Sequence, residues 1–375
     1  VLLSVLGACS ASGPRRSEIT DAELLSAAEL EWARADPEPA IISAPEAFGL
    51  DEEMRSFARS FSAIRDPNVK LQRLLDAMQR RGLFSLDYAN SVTHTVSETF
   101  HGRQGNCLSF TLLFVALARE AGLSARFQLV DVPPTWNHEV DLVVIGNHVN
   151  AVVDAGFNDD LVVDFNVTDF RGSYPTRTIS DDYAAALFYT NLGAEALQRR
   201  DSKLSFALFR EALRAHADMP EPWVNLGVLY GRHQRYDYAE ASYLRALEAD
   251  PRERSALANL VGVYMALGED SLAAEYRQRV RHYQDLNPFY HYSAAKAAYD
   301  EGRLAEALEE SRKAIRLKRD QREFYDLQGH VLAALGLDAK AAASFAQAER
   351  YASANEKPTE ASQRMFSGRL DGRSQ

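Results

Sequence analysis

Apolar residues in the C-terminal half of the chain recur with a fixed period. Counting from Pro220, they fall at Trp223, Leu226, Gly227, Tyr230, Ala239, Tyr243 and Ala246, and Pro251 closes the unit. One period of 34 residues earlier the matching set is Tyr189, Leu192, Gly193, Ser205, Phe209 and Ala212. One period later it is Leu257, Leu260, Tyr264, Gly268 and Ala273, then Gly302, Ala307 and Ala314, and finally Tyr325, Gly329, Gly336, Ala341, Phe345 and Ala348. Five units thus begin near 186, 220, 254, 288 and 322, with no insertion between them. Each is long enough for two short helices. Small residues fall where paired helices approach closely, large ones fill the gap, and glycines near the helix ends permit the turn. No single unit can bury its apolar face alone, so the units must stack. Beyond about Ala354 the chain turns polar with scattered glycine, which reads as a flexible tail over 356–375.

The Trp-x-x-Leu-Gly-x-x-Tyr spacing, the two alanines and the closing proline resemble the tetratricopeptide repeat. That resemblance implies an all-α, right-handed solenoid over 186–355 with a protein or peptide ligand in its groove. The third and fourth repeats carry Arg277 and His291 at positions usually apolar or aromatic. Tyr283, Phe289, Tyr290 and Tyr292 cluster there, either as packing between repeats or as a ligand contact in the groove.

The first half follows a different pattern. Thr20 to Ala35 has helical spacing and is broken by Pro37, Pro39 and Pro45; Glu52–Ile64 and Val69–Met78 predict two more amphipathic helices. Gly105-Asn106 marks a turn, and Leu108 to Ala121 is an apolar-rich helix closed by Gly122. Strands are expected at Ala125–Val132, Glu139–Ile145, His148–Val153 and Leu161–Phe165, with the Gly146-Asn147 pair as a tight turn. Cys107 therefore falls at or just before the first turn of a buried helix, where partial positive charge and free N–H groups favour a thiolate and can also receive an oxyanion. Alternation puts His148, Asn150 and Val152 on one strand face. A hairpin centred near Gly156 or Phe157 brings Asp164 opposite or diagonal to His148. Nucleophile, base and orienting carboxylate are the three parts of a thiol acyl-transfer site. Against this stand plainer readings: Cys107 as an inert core thiol, His148 as an ordinary strand histidine, and Asp164 as a strand-end carboxylate. His138 is the rival base, beside Trp136 and Asn137 in a Pro-rich loop. Gln104 and Asn106 are loop residues that can also supply an oxyanion donor. His94 and His101 read as surface residues.

The stretch TVSETFHGRQGNCLSFTLLFVALAREAGL, followed by NHVNAVV and VVDFN, resembles the transglutaminase-like superfamily between about Thr93 and Asn166. The order Cys107, His148, Asp164 fits that family; the aromatic usual after the family's histidine is absent, with Val149 and Asn150 in its place. The resemblance implies an α+β, papain-like domain and a Cys–His–Asp triad acting on amide bonds, by hydrolysis or by acyl transfer to an amine. On this reading the first domain reacts and the repeats recruit, so that removing the repeats spares turnover of a small generic substrate. The alternative is a non-catalytic, membrane-tethered repeat scaffold with a degenerate enzyme domain.

Charge and cysteine content narrow the remaining choices. A formal charge of -11 argues against a nucleic-acid partner. No His/Cys/Asp cluster has metal spacing and no glycine-rich phosphate loop follows a strand, so neither metal nor cofactor is expected. The two cysteines, Cys9 and Cys107, exclude a disulfide scaffold. Leu6-Gly7-Ala8-Cys9, at the end of a short apolar run, resembles the bacterial lipobox, which makes Cys9 a lipid-attachment site. Acyl chains worth roughly 0.8 kcal/mol per buried methylene form a firm anchor. Ser10 after the cysteine, by resemblance to Gram-negative lipoprotein sorting, favours the periplasmic face of the outer membrane. The expected organisation is a signal-peptide remnant, lipobox and tether over 1–19, the transglutaminase-like domain over 20–183 with its core at about 93–170, and the repeats over 186–355.

Overall fold

The computed structural model describes residues 19–26, 30, 39–83, 92–130, 135–137, 142–144, 148–154, 160–165 and 175–355. Cys9 with its lipobox, the tail, His138, the Gly146-Asn147 turn and the hairpin centre lie outside the described residues. The first half is α+β. Helices α1 (Asp21–Ser26), α2 (Ala44–Ala47), α3 (Glu52–Arg59), α4 (Pro67–Arg80), α5 (Val96–Gly102) and α6 (Cys107–Glu120) precede β1 (Ser124–Val130). The strands β2 (Thr135–Asn137), β3 (Leu142–Val144), β4 (His148–Asp154), β5 (Asp160–Val163) and β6 (Thr176–Ile179) follow. An antiparallel sheet has the order β5-β4-β1-β6, and β2 pairs with β3 in a separate ribbon.

Helix α6 is the hub. Leu108, Phe110, Leu112, Leu113, Phe114 and Leu117 are all buried, so it is apolar nearly all round, as a helix enclosed on every side must be. Asp66 caps α4 by accepting from Asn68 N and Val69 N, and the far end of α6 is closed twice: Gly122 takes the left-handed conformation that glycine tolerates, and buried Lys70 donates Nζ to the Ala121 carbonyl at 2.9 Å. Among the elements that escaped the sequence pattern are α5 and β6. The Thr95–Glu98 capping box starts α5, and β6 pairs with the free edge of β1.

The second half consists of antiparallel helix pairs: α7 (Asp181–Gln198) with α8 (Ser202–Ala215), α9 (Pro220–Arg232) with α10 (Tyr236–Ala249), and α11 (Arg254–Ala266) with α12 (Asp270–Asp285). Then come α13 (Pro288–Asp300) with α14 (Leu304–Leu317) and α15 (Arg322–Ala334) with α16 (Asp338–Asn355). The period has a direct steric cause. A Cβ added at Gly193, Gly227 or Gly329 would lie 2.4 Å from the ring of Phe209, Tyr243 or Phe345 respectively. The third and fourth repeats replace this glycine–aromatic pair by Val261 with Arg277 and by Ala295 with Ser311. The hydrophobic core divides there, one cluster ending on α12 and another beginning on α13. His291 bridges the division: buried on α13, it bonds Glu310 Oε2 at 2.6 Å and the Asp285 carbonyl of α12 at 3.0 Å. Phe289 and Tyr292 both pack on buried Phe324, so these two aromatics serve contact between repeats.

Two features blur the expected boundary near 183. Tyr183 to Tyr189 of α7 belong to the same core as α6 and the sheet, so the first repeat helix completes the first domain. Arg119 reinforces that contact through both oxygens of Asp181, at 2.7 and 2.9 Å. Conversely, α1 was expected within the first domain but packs on the repeats. Leu24 is fully buried against them, Tyr230 donates to its carbonyl, and Arg245 pairs with Asp21. Leu25 packs beside Leu24 against the same core.

Candidate active site

The segment before α6 is shaped to hold Cys107 at the helix tip. Asn106 is the N-cap: its Oδ1 accepts from Ser109 N and Oγ, both at 3.0 Å, and its Nδ2 donates to Thr93 Oγ1 at 2.8 Å. Ser109 Oγ accepts in turn from His94 N at 2.9 Å. Gly105 is buried with φ +153, and a Cβ there would lie 2.7 Å from the Ser109 Cβ, so only glycine fits beneath the cap. The Asn106 amide is thus engaged in the cap and Gln104 is exposed. The donors left for an oxyanion are the backbone N–H groups of Cys107 and Leu108, which precede the helix's own hydrogen-bond ladder. Cys107 itself is half-buried, with a free thiol. Thr111 Oγ1 reaches both the Cys107 carbonyl at 2.8 Å and the Val149 carbonyl at 3.1 Å, fastening this tip of α6 to β4.

Strand register supplies the other two groups. Val149, Ala151 and Val153 of β4 join the α6 core, so His148 and Asn150 point to the other face. The β4–β5 register ends at Ala151 opposite Val163. Continuing it by one residue sets Asp164 opposite Asn150 and diagonal to His148. His148 Nε2 lies 2.8 Å from Asp164 Oδ1 and 2.7 Å from Oδ2, with both side chains 8% exposed. Asn150 Nδ2 donates to the same Oδ2 at 3.0 Å. Phe165, next along the chain, is buried against Phe110 and Phe114 of α6 and fixes the backbone at this point.

The electrostatics bring Cys107 into the same set. Burial alone lowers the proton affinity of His148, but its hydrogen bonds and charge interactions with Asp164 and Cys107 outweigh burial and push its pKa up to about 9. Nε2 is committed to the carboxylate, which leaves Nδ1 for the thiol. His148 and Asp164 are thus in direct contact, and Cys107 lies near enough to act on the His148 ring. His94 and His101 are not part of the group; they lie near Glu98 and Asp51 on the outside of α5. Among the described residues no cluster of His, Cys, Asp or Glu is placed to hold a metal.

Sequence reasoning missed the cavity. Cys107, Leu108 and Val149 form one wall of a space of about 390 Å³, within the range of small-ligand sites. The opposite wall comes from the leading helices of the first three repeats: Leu187, Thr190, Asn191 and Ala194 on α7, Val224 and Asn225 on α9, and Ser255 on α11, with Glu221 and Glu253 at the helix starts. Asn191 and Asn225 occupy the same position of successive repeats, a spacing that was legible as period but not as a site.

Together these features define an α+β core, with a thiol at a helix tip, fused to an array of helix pairs. The core matches the transglutaminase-like superfamily over residues 55–160, and the array matches the tetratricopeptide repeat over 220–253. The chain thus carries a transglutaminase-like core followed by tetratricopeptide repeats. Cys107 and His148 fall inside the first match, and Asp164 lies just beyond it. Among solved structures, similar chains include MamA from Desulfovibrio magneticus RS-1, at 18% identity and TM-score 0.26, covering 45% of this chain and 96% of its own. Pseudomonas aeruginosa pilF is 19% identical with a TM-score of 0.27, covering 46% and 78%. YrrB, described as a tetratricopeptide-repeat protein with an unusual peptide-binding site, is 19% identical with a TM-score of 0.25, covering 44% and 86%. No curated protein matches the chain significantly.

Proposed function

We propose that the protein is a thiol-dependent acyl-transfer enzyme acting on amide bonds of a polypeptide, with Cys107 as nucleophile, His148 as acid–base and Asp164 as orienter. The observation that carries this reading is the buried His148–Asp164 contact with its ring beside the thiol at the α6 tip. Cys107 Sγ attacks the carbonyl carbon. The oxyanion is received by the N–H groups at the start of α6, and the carbon–nitrogen bond breaks as His148 gives its proton to the leaving amine. A thioester on Cys107 remains. His148 then takes a proton from water, which releases a carboxylic acid, or from an amine, which gives a new amide. Either route returns the thiol–imidazole pair to its starting state.

The repeats line the same cavity as the thiol. This supports a polypeptide substrate laid along their leading helices, and it argues against a simple separation of recruitment from reaction. Truncating the chain after the first domain removes a wall of the site, so even a small substrate should be handled poorly. The test of the chemistry is intact-mass analysis after mixing with an activated acyl ester. One acyl group on Cys107, absent from Cys107→Ala and slow to leave in His148→Ala, is the expected result. Acylation that persists in Cys107→Ala would overturn the assignment.

The proposed location is the cell envelope, with Cys9 lipidated. Among the described residues no helix is long and apolar enough to cross a membrane. Cys9→Ser, expressed with a complete leader, should move the protein from the membrane fraction to the soluble one; retention as firm as in wild type would remove the lipid anchor from the account.

A further inference from the structure

The Asp164 carboxylate accepts from two side chains. Besides His148 it holds the Asn150 amide, Nδ2 to Oδ2 at 3.0 Å. Asn150 is fully buried, while its Oδ1 has no hydrogen-bond partner. A buried amide with one end unpaired costs stability, and an apolar side chain of similar size would avoid that cost. The next residue on this strand face, Val152, is buried and apolar. The amide at position 150 therefore has a use other than filling space, and its one engaged atom faces the carboxylate.

We propose that Asn150 is a positioning residue: its amide N–H clamps the Asp164 carboxylate in line with His148 throughout the reaction. The proposal rests on the catalytic reading above. Asp164 follows the last paired residue of β5. Phe165 anchors the backbone beside it. The hold of His148 loses its charge assistance each time the ring gives up the proton on Nδ1, although Nε2–H still donates. An amide N–H donates in every state. The strand pleat puts residues 148 and 150 on one face, and the register puts 164 across from 150, so both donors converge on one carboxylate.

Two substitutions separate positioning from packing. Asn150→Leu keeps the branched shape at Cγ, on a somewhat larger side chain, and removes the donor. Asn150→Asp keeps the shape and makes the donor conditional: protonated, the introduced carboxyl gives Asp164 an O–H; ionised, it repels Asp164. The measurements are kcat and KM for an activated acyl ester between pH 5 and 10, and the titration of the His148 ring by NMR. For Asn150→Leu we expect kcat to fall about tenfold with KM within about twofold, and the His148 midpoint to fall by about one unit. Asn150→Asp should stay near wild type at the acid end and lose activity as the pH rises. Should Asn150→Leu fail to fold, Asn150→Asp still reports through its own pH profile. An unchanged His148 midpoint, or an equal loss at every pH in Asn150→Asp, would overturn the clamp. If wild-type activity itself survives Cys107→Ala, the parent reading fails and not the clamp alone.

Discussion

Cys107, His148 and Asp164 were each singled out from the sequence, but for different reasons. The thiol was marked by a glycine-asparagine turn entering an apolar helix, and Asn106 does cap that helix. The histidine was marked by strand alternation. The aspartate needed a pairing register, which sequence narrowed to two arrangements and the structure resolves as the diagonal one. What the sequence hid was the Asn150 amide, because a polar residue on a strand face has no signal that distinguishes solvent from a buried carboxylate. A pH dependence follows from the His148 environment. Its pKa of about 9 lies above the usual histidine value of about 6.5, so protonation favours the folded state. That stabilisation is complete below about pH 6.5 and is lost as the pH rises through about 9. Urea midpoints should therefore decline between pH 7 and 9.5 in wild type and stay flatter in His148→Ala; equal slopes in the two proteins would mean that the ring carries no such shift.

The elements most visible in the sequence were those with a strong period. The helix pairs appear where the 34-residue spacing put them, and in the first, second and fifth a glycine faces an aromatic ring at the tight crossing. Short elements were lost: β6 has only four residues and a mostly exposed burial pattern, and it takes its place by pairing with β1. The ribbon strand β2 fell in a segment read as a Pro-rich loop. The steric rule gives a paired prediction for glycines in leading helices. Gly227→Ala drives a methyl into the Tyr243 ring and should destabilise by about 1–3 kcal/mol, the usual cost of overpacking. Gly262→Ala, in the exposed interior of α11 with open space around its Cβ, should stabilise by about 0.5–1 kcal/mol through helix propensity. Thermal melts of both variants check the rule, and a Gly227→Ala protein as stable as wild type would break it.

On the scale of the whole molecule, the sequence divided what the fold joins. Periodicity reports how each segment packs on itself and is silent on which segments share a core. Helix α7 carries the first repeat's signature and also completes the core around α6, and the cavity beside Cys107 lies between the two halves. One consequence is mechanical. Phe188 on α7 is 1% exposed and packs edge-on against Phe48 of the first half. Phe188→Ala should cost about 3–5 kcal/mol and speed amide hydrogen exchange in both α6 and α8; loosening confined to α8 would show that the halves are independent. The other consequence is chemical, and it is the proposal on which the account stands: that Cys107 acts as a nucleophile served by His148. The most direct measurement is the rate of Cys107 alkylation by iodoacetamide from pH 5 to 10, in wild type and His148→Ala. The account predicts a wild-type thiol that is alkylated much faster than the thiol of His148→Ala, because the neighbouring imidazole takes the thiol proton. A Cys107 alkylation rate unchanged when His148 is removed would contradict it.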